Sequence, residues 1–179
     1  MTNYNISETW SLAFSTDNLL EVKLNNLVTT LPFLSEEWRV SFTLFPLDLS
    51  DQGNWVNILH MTTGENNCCY GSRTPIISFY PPYGLLIDSA ISGQNTVGVI
   101  LPSPVLRVNT NIEITQESNE EGKIIYRVVI DDVEVFQKEN TDPRVFENVA
   151  VYVPDPWYMS PDPNYKLGFV KDLSIYVKN

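Results

Sequence analysis

The stretch Gly122–Glu139, "GKIIYRVVIDDVEVFQKE", decides how this chain folds. Runs of alternating, β-branched residues lie on both sides of Asp131 and Asp132, and such residues favour extended strands. Aspartate tolerates the backbone that a tight two-residue turn requires. The stretch therefore predicts an antiparallel hairpin that turns at Asp131–Asp132. The segment "SNEEG" just before it predicts an exposed loop between this hairpin and another strand.

Period-two alternation continues along the rest of the chain. In "EWRVSFTLFPL" (Glu37–Leu47), apolar side chains from Trp38 to Leu44 alternate with the polar residues between them. The other predicted strands are Thr9–Phe14, Leu19–Leu24, Asn54–Thr63, Thr74–Pro81, Gly84–Ile91, Asn95–Leu101, Asn109–Ser118, Glu147–Val153 and Val170–Asn179. About a dozen strands exceed the roughly seven to nine of an immunoglobulin sandwich. We therefore predict an all-β, two-sheet antiparallel jelly-roll sandwich.

Length and charge narrow the class of protein. With 179 residues and no linker or internal repeat, residues 1–179 are expected to form one domain. A net charge of −11 argues against nucleic acid and anionic lipid as partners, because both attract basic surfaces. No apolar run reaches the ~18 residues that a membrane helix needs, so no membrane insertion is expected. The start of the chain has no signal-peptide pattern, which leaves the compartment open.

The two cysteines, Cys68 and Cys69, are adjacent. Neighbouring residues do not readily form an ordinary disulfide. A strained bond between the two, two free thiols and a bond to another chain all remain open. No spacing of the kind that holds zinc is present.

Several segments together resemble a known family. The strings "EWRVSFTLFPL", "WVNILHMTTG", "PIISFY", "NIEITQ", "GKIIYRVVIDDVEVF", "NVAVYVPDPWY" and "VKDLSIYV" follow one another in an order similar to that of concanavalin A-like lectin and laminin-G-like domains. The likeness spans Trp10 to Val177, and the hairpin turn is Asp-Asp where the family pattern has Asp-Gly.

The resemblance implies a sandwich whose concave face and rim loops bind sugars or proteins, often beside a calcium ion. We therefore expect an extracellular, lectin-like recognition module that binds a glycan, assisted by calcium, and that is not an enzyme. The alternative is a structural or adhesion module that contacts an extracellular protein or forms a homo-oligomer. A third hypothesis is a glycoside hydrolase. Fold alone does not choose among them.

Two sequence motifs of related enzymes and lectins help to compare these hypotheses. Glycosidases of this fold carry "E-x-D-x-E" on one strand, and here Asp132 and Glu134 lack a third acid. Galectins carry "H-x-N-x-R", whereas His60, the single histidine, lies in "LHMTTGENN". We expect His60 to be a packed or hydrogen-bonded structural residue. Asn5, in "NIS", is a glycosylation acceptor if the chain is secreted.

The proline-rich stretch "VYVPDPWYMSPDPNY" (Val151–Tyr165) is the strongest candidate for a site. Prolines on both sides hold Asp155 extended, and Trp157 and Tyr158 follow it. Carboxylates on irregular loops suit calcium, so Asp155 is assigned to a metal site together with Asp51 and Asp48. The alternative is that Asp155 caps a turn and Trp157 closes the end of the sandwich.

Ligand binding is assigned to a set of rim residues: Trp157, Tyr158, Tyr83, Arg73 and Asn54. A rigid aromatic ring loses little entropy when a sugar stacks on it. Tyr83 lies in the turn "YPPYG", and Arg73 is the one cation of the loop "NNCCYGSR". Arg73 is expected to grip a carboxylate or to pair with a surface acid.

Overall fold

A computed structural model describes residues 9–49, 55–80, 83–157 and 167–179 of the chain. These ranges contain thirteen strands and no helix. The strands are β1 (Trp10–Thr16), β2 (Leu20–Glu21), β3 (Leu27–Leu34), β4 (Trp38–Pro46), β5 (Val56–Thr62), β6 (Ile76–Tyr80), β7 (Gly84–Ile91), β8 (Gln94–Leu101), β9 (Thr110–Ser118), β10 (Ile124–Ile130), β11 (Val133–Glu139), β12 (Phe146–Tyr152) and β13 (Gly168–Lys178). Within the same ranges, nothing helical has the length and apolar character that a membrane crossing requires.

The strands form two antiparallel sheets. The seven-stranded sheet has the order β1-β13-β4-β9-β10-β11, with the short β2 also paired to β13. The six-stranded sheet has the order β3-β12-β5-β6-β7-β8. All pairings are antiparallel, and the chain crosses between the sheets several times. The predicted all-β jelly-roll sandwich is confirmed.

Alternation along each strand builds the core between the sheets. Trp38, Val40, Phe42 and Leu44 of β4 are buried as their spacing predicts. Burying each such side chain stabilises the fold by about 1.5–3 kcal/mol, which is the main source of cohesion. The polar residues between them face away from the core, on the outer face of the seven-stranded sheet.

The hairpin predicted for Gly122–Glu139 is present in the structure. β10 pairs with β11, and the two connecting residues Asp131 and Asp132 have φ values of 47° and 65°. Two successive left-handed residues define the tight turn whose twist matches that of paired strands. The side chain of Asp131 also accepts a hydrogen bond from the backbone N–H of Asn111, at 2.8 Å.

Two elements differ from the sequence prediction. β3 was not predicted, and the predicted strand Leu19–Leu24 is reduced to Leu20–Glu21. β3 is an edge strand with Pro32 in it, and several of its side chains are exposed. An edge strand tolerates proline because one row of its N–H groups needs no partner in the sheet. The alternation is weak there because much of the strand faces water.

Loops cover part of the outer face of the six-stranded sheet. Every residue of β5 is buried, although alternate side chains of a strand point to opposite faces. The connection from β5 to β6 and the segment after β12 provide this cover. Backbone hydrogen bonds from Val153 to Asn26, and from Asn25 and Asn26 to Asp155 and Pro154, fix the latter segment. The covered face holds the polar residues described next.

Candidate functional site

A cleft of about 270 Å³ opens on the outer face of the six-stranded sheet. Asn57, Ser78 and Leu86 form its floor from the adjacent strands β5, β6 and β7. These residues alternate with core residues of the same strands, so their side chains point away from the other sheet. The loops supply the walls, which are Trp55, Asn66, Arg73 and Trp157.

The floor is a chain of hydrogen bonds. The Ser78 hydroxyl donates to Asn57 Oδ1 at 2.6 Å, and Asn57 Nδ2 donates to Asp155 Oδ2 at 2.6 Å. All three residues are buried. Buried polar side chains are stable only when they are paired, and this pairing also fixes the orientation of the amide. The floor therefore presents polar groups in one defined arrangement.

His60 and Asp155 form a buried pair beneath the cleft. His60 Nδ1 lies 2.5 Å from Asp155 Oδ2, and His60 Nε2 lies 2.6 Å from the carbonyl oxygen of Ser72. Neither side chain has any exposed surface. The prediction that His60 is a packed, hydrogen-bonded structural residue is confirmed. The pair ties the segment after β12 to β5 and to the β5–β6 loop.

Asp155 differs from its expected position at the rim. Its carboxylate points inward to His60 and Asn57, and its Oδ1 accepts the backbone N–H of Trp157 at 3.0 Å. Asp155 lies between two prolines, and its side chain enters the interior and caps the turn at Trp157, as the alternative prediction had it. Calcium binding by Asp155, Asp51 and Asp48 stays a prediction, since Asp51 lies outside the described residues. In the part of the chain that is described, no three acidic, histidine or cysteine side chains form a group that could hold a metal ion.

Trp157 stands over the buried pair. Its ring makes edge contacts with His60 and Tyr152, at centroid distances of 5.8 Å and 6.3 Å. The backbone of Trp157 is held by Asp155. The indole is half-buried and lines the cleft, so one part is fixed by packing while another remains accessible.

The second aromatic wall of the cleft is a stack of three rings. Trp55 stacks on Tyr80 at 4.6 Å between centroids, and Tyr80 stacks on Tyr83 at 5.3 Å. Trp55 lines the cleft, whereas Tyr83 is at the far end of the stack. Aromatic contacts of this kind contribute about 0.5–1.5 kcal/mol each beyond their burial. Tyr83 therefore supports the wall through Tyr80 and is not itself among the residues that line the cleft.

Arg73 is held at the side of the cleft by two acceptors. Its Nη1 lies 3.3 Å from Asp88 Oδ2, and its Nε donates to the carbonyl oxygen of Asn66 at 3.3 Å. Burial lowers the pKa of Arg73, although Asp88 and Asp155 act against that shift. Burial likewise raises the pKa of Asp88, and Arg73 opposes the rise. Each charge is poorly hydrated and depends on the other.

A glycine makes room for Asp88. Gly98 lies opposite Asp88 on β8, and a Cβ atom there would be 1.8 Å from the Ile87 carbonyl oxygen and 2.5 Å from Asp88 Oδ1. No side chain fits at these distances. Gly98 thus permits the position of Asp88, and through it that of Arg73.

Cys68 and Cys69 are bonded to each other, which resolves the alternatives that the sequence left open. Both residues are exposed. They lie in the loop that carries Asn66 and Arg73, between those two residues. Asn95 donates to the Cys68 carbonyl oxygen at 3.2 Å, and the Ser72 hydroxyl donates to that of Cys69 at 2.7 Å.

The structure brings together some of the predicted ligand-binding residues. Trp157 and Arg73 both line the cleft, Tyr83 supports it from a distance, and Tyr158 and Asn54 lie outside the described residues. Six residues at or beside the cleft were not predicted to bind a ligand: Trp55, Asn57, Asn66, Ser78, Leu86 and Asp88. A signal for three of these was present, since Asn57, Ser78 and Asp88 interrupt strands that are otherwise largely apolar.

The seven-stranded sheet carries other hollows on its outer face. One of about 330 Å³ is lined by Trp10, Arg39, Ser41, Glu113 and Tyr176. Arg39 there lies on the Trp10 ring at 4.2 Å and pairs with Glu117. Glu134, from the glycosidase hypothesis, belongs to the same sheet and lies 3.6 Å from Arg127. The acids of that hypothesis are therefore not at the cleft.

Comparison with known proteins shows the fold. No family model and no curated protein sequence matches the chain. A heptameric SAP-like pentraxin from Limulus polyphemus is similar in structure, with TM-score 0.54, 13% identity, and coverage of 93% of this chain and 74% of that one. An endo-β-1,4-glucuronan lyase from the fungus Trichoderma reesei has TM-score 0.52 and 10% identity, covering 96% and 88%. The alginate lyase Aly36B, solved with an alginate tetrasaccharide, has TM-score 0.53 and 9% identity, covering 95% and 80%.

These similarities agree with the fold described above, a jelly-roll sandwich of two antiparallel sheets. They also correct one expectation. The resemblance noted from the sequence implied a protein that is not an enzyme, but two of these similar structures are polysaccharide lyases. The fold that suggested a binding module is shared by enzymes, so it gives no ground for excluding activity.

Proposed function

We propose that this chain binds carbohydrate in the cleft of the six-stranded sheet. The observation that carries the proposal is the pairing of two indole rings, Trp55 and Trp157, with fixed hydrogen-bonding groups on the floor between them. Few polar groups in defined positions, surrounded by aromatic and apolar surface, are what orient a small ligand in a protein cleft. We also propose that the chain is a recognition module of the lectin-like or laminin-G-like type.

The aromatic walls are arranged before a ligand arrives. Trp55 is held by its stack on Tyr80, and Trp157 by Asp155 and His60. The negative face of an indole ring attracts the weakly positive C–H groups of a sugar ring. Because the rings are already ordered, little entropy is lost when a ligand stacks on them.

The floor and side wall supply directional hydrogen bonds. Asn57 uses one amide hydrogen on Asp155, and Ser78 donates its hydroxyl hydrogen to Asn57. These two bonds fix the orientation of the groups that remain for a ligand. Those groups are the second amide hydrogen of Asn57 and the lone pairs of the Ser78 oxygen. A sugar hydroxyl, which both donates and accepts, matches such a mixed set of groups.

The similar structures support a glycan as the ligand class. The alginate lyase was solved with an alginate tetrasaccharide, and the fungal lyase is named for glucuronan. Because those proteins are enzymes, a test of binding should also include a test of turnover.

We also propose an extracellular location and assistance by calcium. Disulfide bonds persist in oxidising compartments, so the Cys68–Cys69 bond supports an extracellular location. Calcium assistance is proposed at the loop that contains Asp48 and Asp51. The heptameric assembly of the similar pentraxin supports testing for a homo-oligomer.

The test is a glycan array probed with the whole chain, once with calcium and once with a chelator. The best ligand is then titrated calorimetrically against wild type, Trp55→Ala, Trp157→Ala and the control Trp10→Ala, whose indole lies on the other sheet. We expect at least about a tenfold loss for each cleft variant and little change for Trp10→Ala, since buried aromatic anchors carry much of a binding energy. A blank array, or an equal loss in all three variants, would reject the proposal.

Turnover is tested on the same samples. Alginate and glucuronan are incubated with wild type and with Arg73→Gln, and new unsaturated ends are measured by absorbance. Cleavage that is lost in the variant would place chemistry at the cleft in addition to binding. Cleavage that is unchanged in Arg73→Gln would place it elsewhere on the molecule.

A further inference from the structure

The charged groups at and beneath the cleft that the structure describes are already matched without a ligand. Among the described residues that line the cleft, Arg73 is the single cation and there is no acid. Arg73 has Asp88 at 3.3 Å, and the Asp88 side chain is only 6% exposed. An ion pair withdrawn from water in this way holds together because each charge compensates the other.

The second pair beneath the cleft is also neutral as a unit. Asp155 and the Ser72 carbonyl oxygen face the two ring nitrogens of His60. A carbonyl oxygen only accepts, so Nε2 carries a proton, and one further proton is shared between Nδ1 and the carboxylate. Wherever that proton resides, His60 and Asp155 together have no net charge. The four groups Arg73, Asp88, His60 and Asp155 therefore sum to zero.

An anionic ligand would disturb this balance. A carboxylate or sulfate placed beside Arg73 would leave one negative charge uncompensated in a partly dehydrated cleft, which is costly. The chain as a whole carries −11 and would repel a polyanion, although salt screens this effect beyond about 8 Å. Neither cost applies to an uncharged ligand.

Arg73 retains donors for neutral oxygens. Two of its N–H groups are used on Asp88 and Asn66, and its Nη2 makes no hydrogen bond to the described residues. The guanidinium is a rigid donor fork, so fixing one side fixes the direction of the other. Hydroxyl, ring and acetyl oxygens of a sugar can accept these hydrogens without bringing a charge.

We infer that the ligand of this cleft is an uncharged, hydroxyl-rich glycan, in contrast to the uronate polymers named for the lyases that share its fold. The inference rests on the proposed carbohydrate binding. Arg73 then donates hydrogen bonds to an uncharged ligand, and Asp88 neutralises the charge of Arg73. Asp88 becomes the residue that sets the preference, although it is not itself among the residues that line the cleft.

The test uses oligosaccharide pairs that differ only in oxidation of the exocyclic carbon. The pairs are glucan with glucuronan and mannan with mannuronan, each of the same linkage and length, together with the best ligand of the glycan array. Affinities are measured by calorimetry at low and at physiological salt. We expect the neutral member of a bound pair to bind at least about tenfold more tightly, with little dependence on salt.

A second variant addresses Asp88 directly. Asp88→Asn keeps the shape of the side chain but removes the charge that neutralises Arg73. We expect its preference to shift toward the uronate member by about tenfold or more, while the surface control Asp142→Asn leaves the preference unchanged. Retained circular dichroism and unfolding midpoint would show that Asp88→Asn still folds.

The outcomes separate the two proposals. Tighter, salt-sensitive binding of uronates by wild type, or an acidic sugar as the best array ligand, would overturn the neutral-glycan inference and leave carbohydrate binding intact. An unshifted preference in a folded Asp88→Asn variant would also overturn it. Absence of binding to every neutral and acidic glycan would reject the proposed function together with the inference.

Discussion

At the scale of single residues, the buried pair of His60 and Asp155 is the structural centre of the site. Removing Asp155 leaves its buried partners, the His60 ring, the Asn57 amide and the Trp157 backbone N–H, without their acceptor, which costs about 3–5 kcal/mol. We therefore predict that Asp155→Ala lowers the free energy of unfolding by that amount, measured by urea denaturation. The control Asp142→Ala removes a surface partner of Arg144 and should change it little. Equal effects of the two variants would contradict the role given to the pair.

A substitution at Tyr126 is predicted to raise the stability of the fold. Its hydroxyl is buried in the core and has no hydrogen-bond partner among the described residues. Burial, with a smaller contribution from Asp88, raises the pKa of Tyr126, so the hydroxyl stays neutral. A buried unpaired hydroxyl costs roughly 1–3 kcal/mol. Tyr126→Phe should therefore raise the urea midpoint, and a lower midpoint would reveal a partner for the hydroxyl.

Two of the loop residues at the cleft were predicted from the sequence, and the strand residues of its floor were not. Trp157 and Arg73 were selected because an aromatic ring or a cation stood out in a loop. Asn57 and Ser78 were not assigned to ligand binding, because alternation does not show that loops will cover the polar face. A rule that polar residues inside apolar strands mark a covered site would have identified them.

At the scale of elements, the β5–β6 loop is held by the Cys68–Cys69 bond between its two cleft residues. We predict that the double variant Cys68→Ser/Cys69→Ser binds the array's best ligand about two- to tenfold more weakly. Without the bond, Asn66 and Arg73 must be ordered when the ligand binds. This ordering costs about 0.5–1.5 kcal/mol of binding free energy for each side chain. Calorimetry with and without a thiol reductant checks this. An unchanged affinity in both experiments would show that the loop is ordered without the bond.

Strand prediction succeeded where the alternation is strong and failed where it is weak. The Asp131–Asp132 turn and the alternation of β4 were predicted because turn chemistry and burial both act locally. β3 was missed because Pro32 and exposed side chains weaken its alternation. Its place in the sheet comes from pairing with β12, which lies more than a hundred positions away. No local pattern carries that information.

At the scale of the whole molecule, acid stability depends in part on Glu37, which joins three strands of the seven-stranded sheet. Burial alone would raise the pKa of its carboxyl, but hydrogen bonds from Ser118 and Lys178 lower it below the ordinary 4.5. A lowered pKa in the folded state gives stability that is complete above 4.5 and is lost as the pH falls through the folded value. We predict a smaller loss of stability on acidification for Glu37→Gln than for wild type, measured by urea unfolding across that range.

The control for this prediction is Glu121→Gln, at an exposed carboxylate beside Lys123. Its acid profile should follow that of wild type, because exposed pairs are well screened. A Glu37→Gln profile that matches wild type would show that other carboxylates dominate the acid response.

The central claim, that the cleft between Trp55 and Trp157 binds carbohydrate, is tested most directly by the indole N–H signals of the four tryptophans. The ¹⁵N-labelled chain is titrated with the best ligand of the array, and each signal is assigned from a single Trp→Phe variant. The signals of Trp55 and Trp157 should move together and saturate, while those of Trp38 in the core and Trp10 on the other sheet stay in place. Movement of Trp10 with Trp55 and Trp157 unchanged would put the binding site on the seven-stranded sheet and contradict the account.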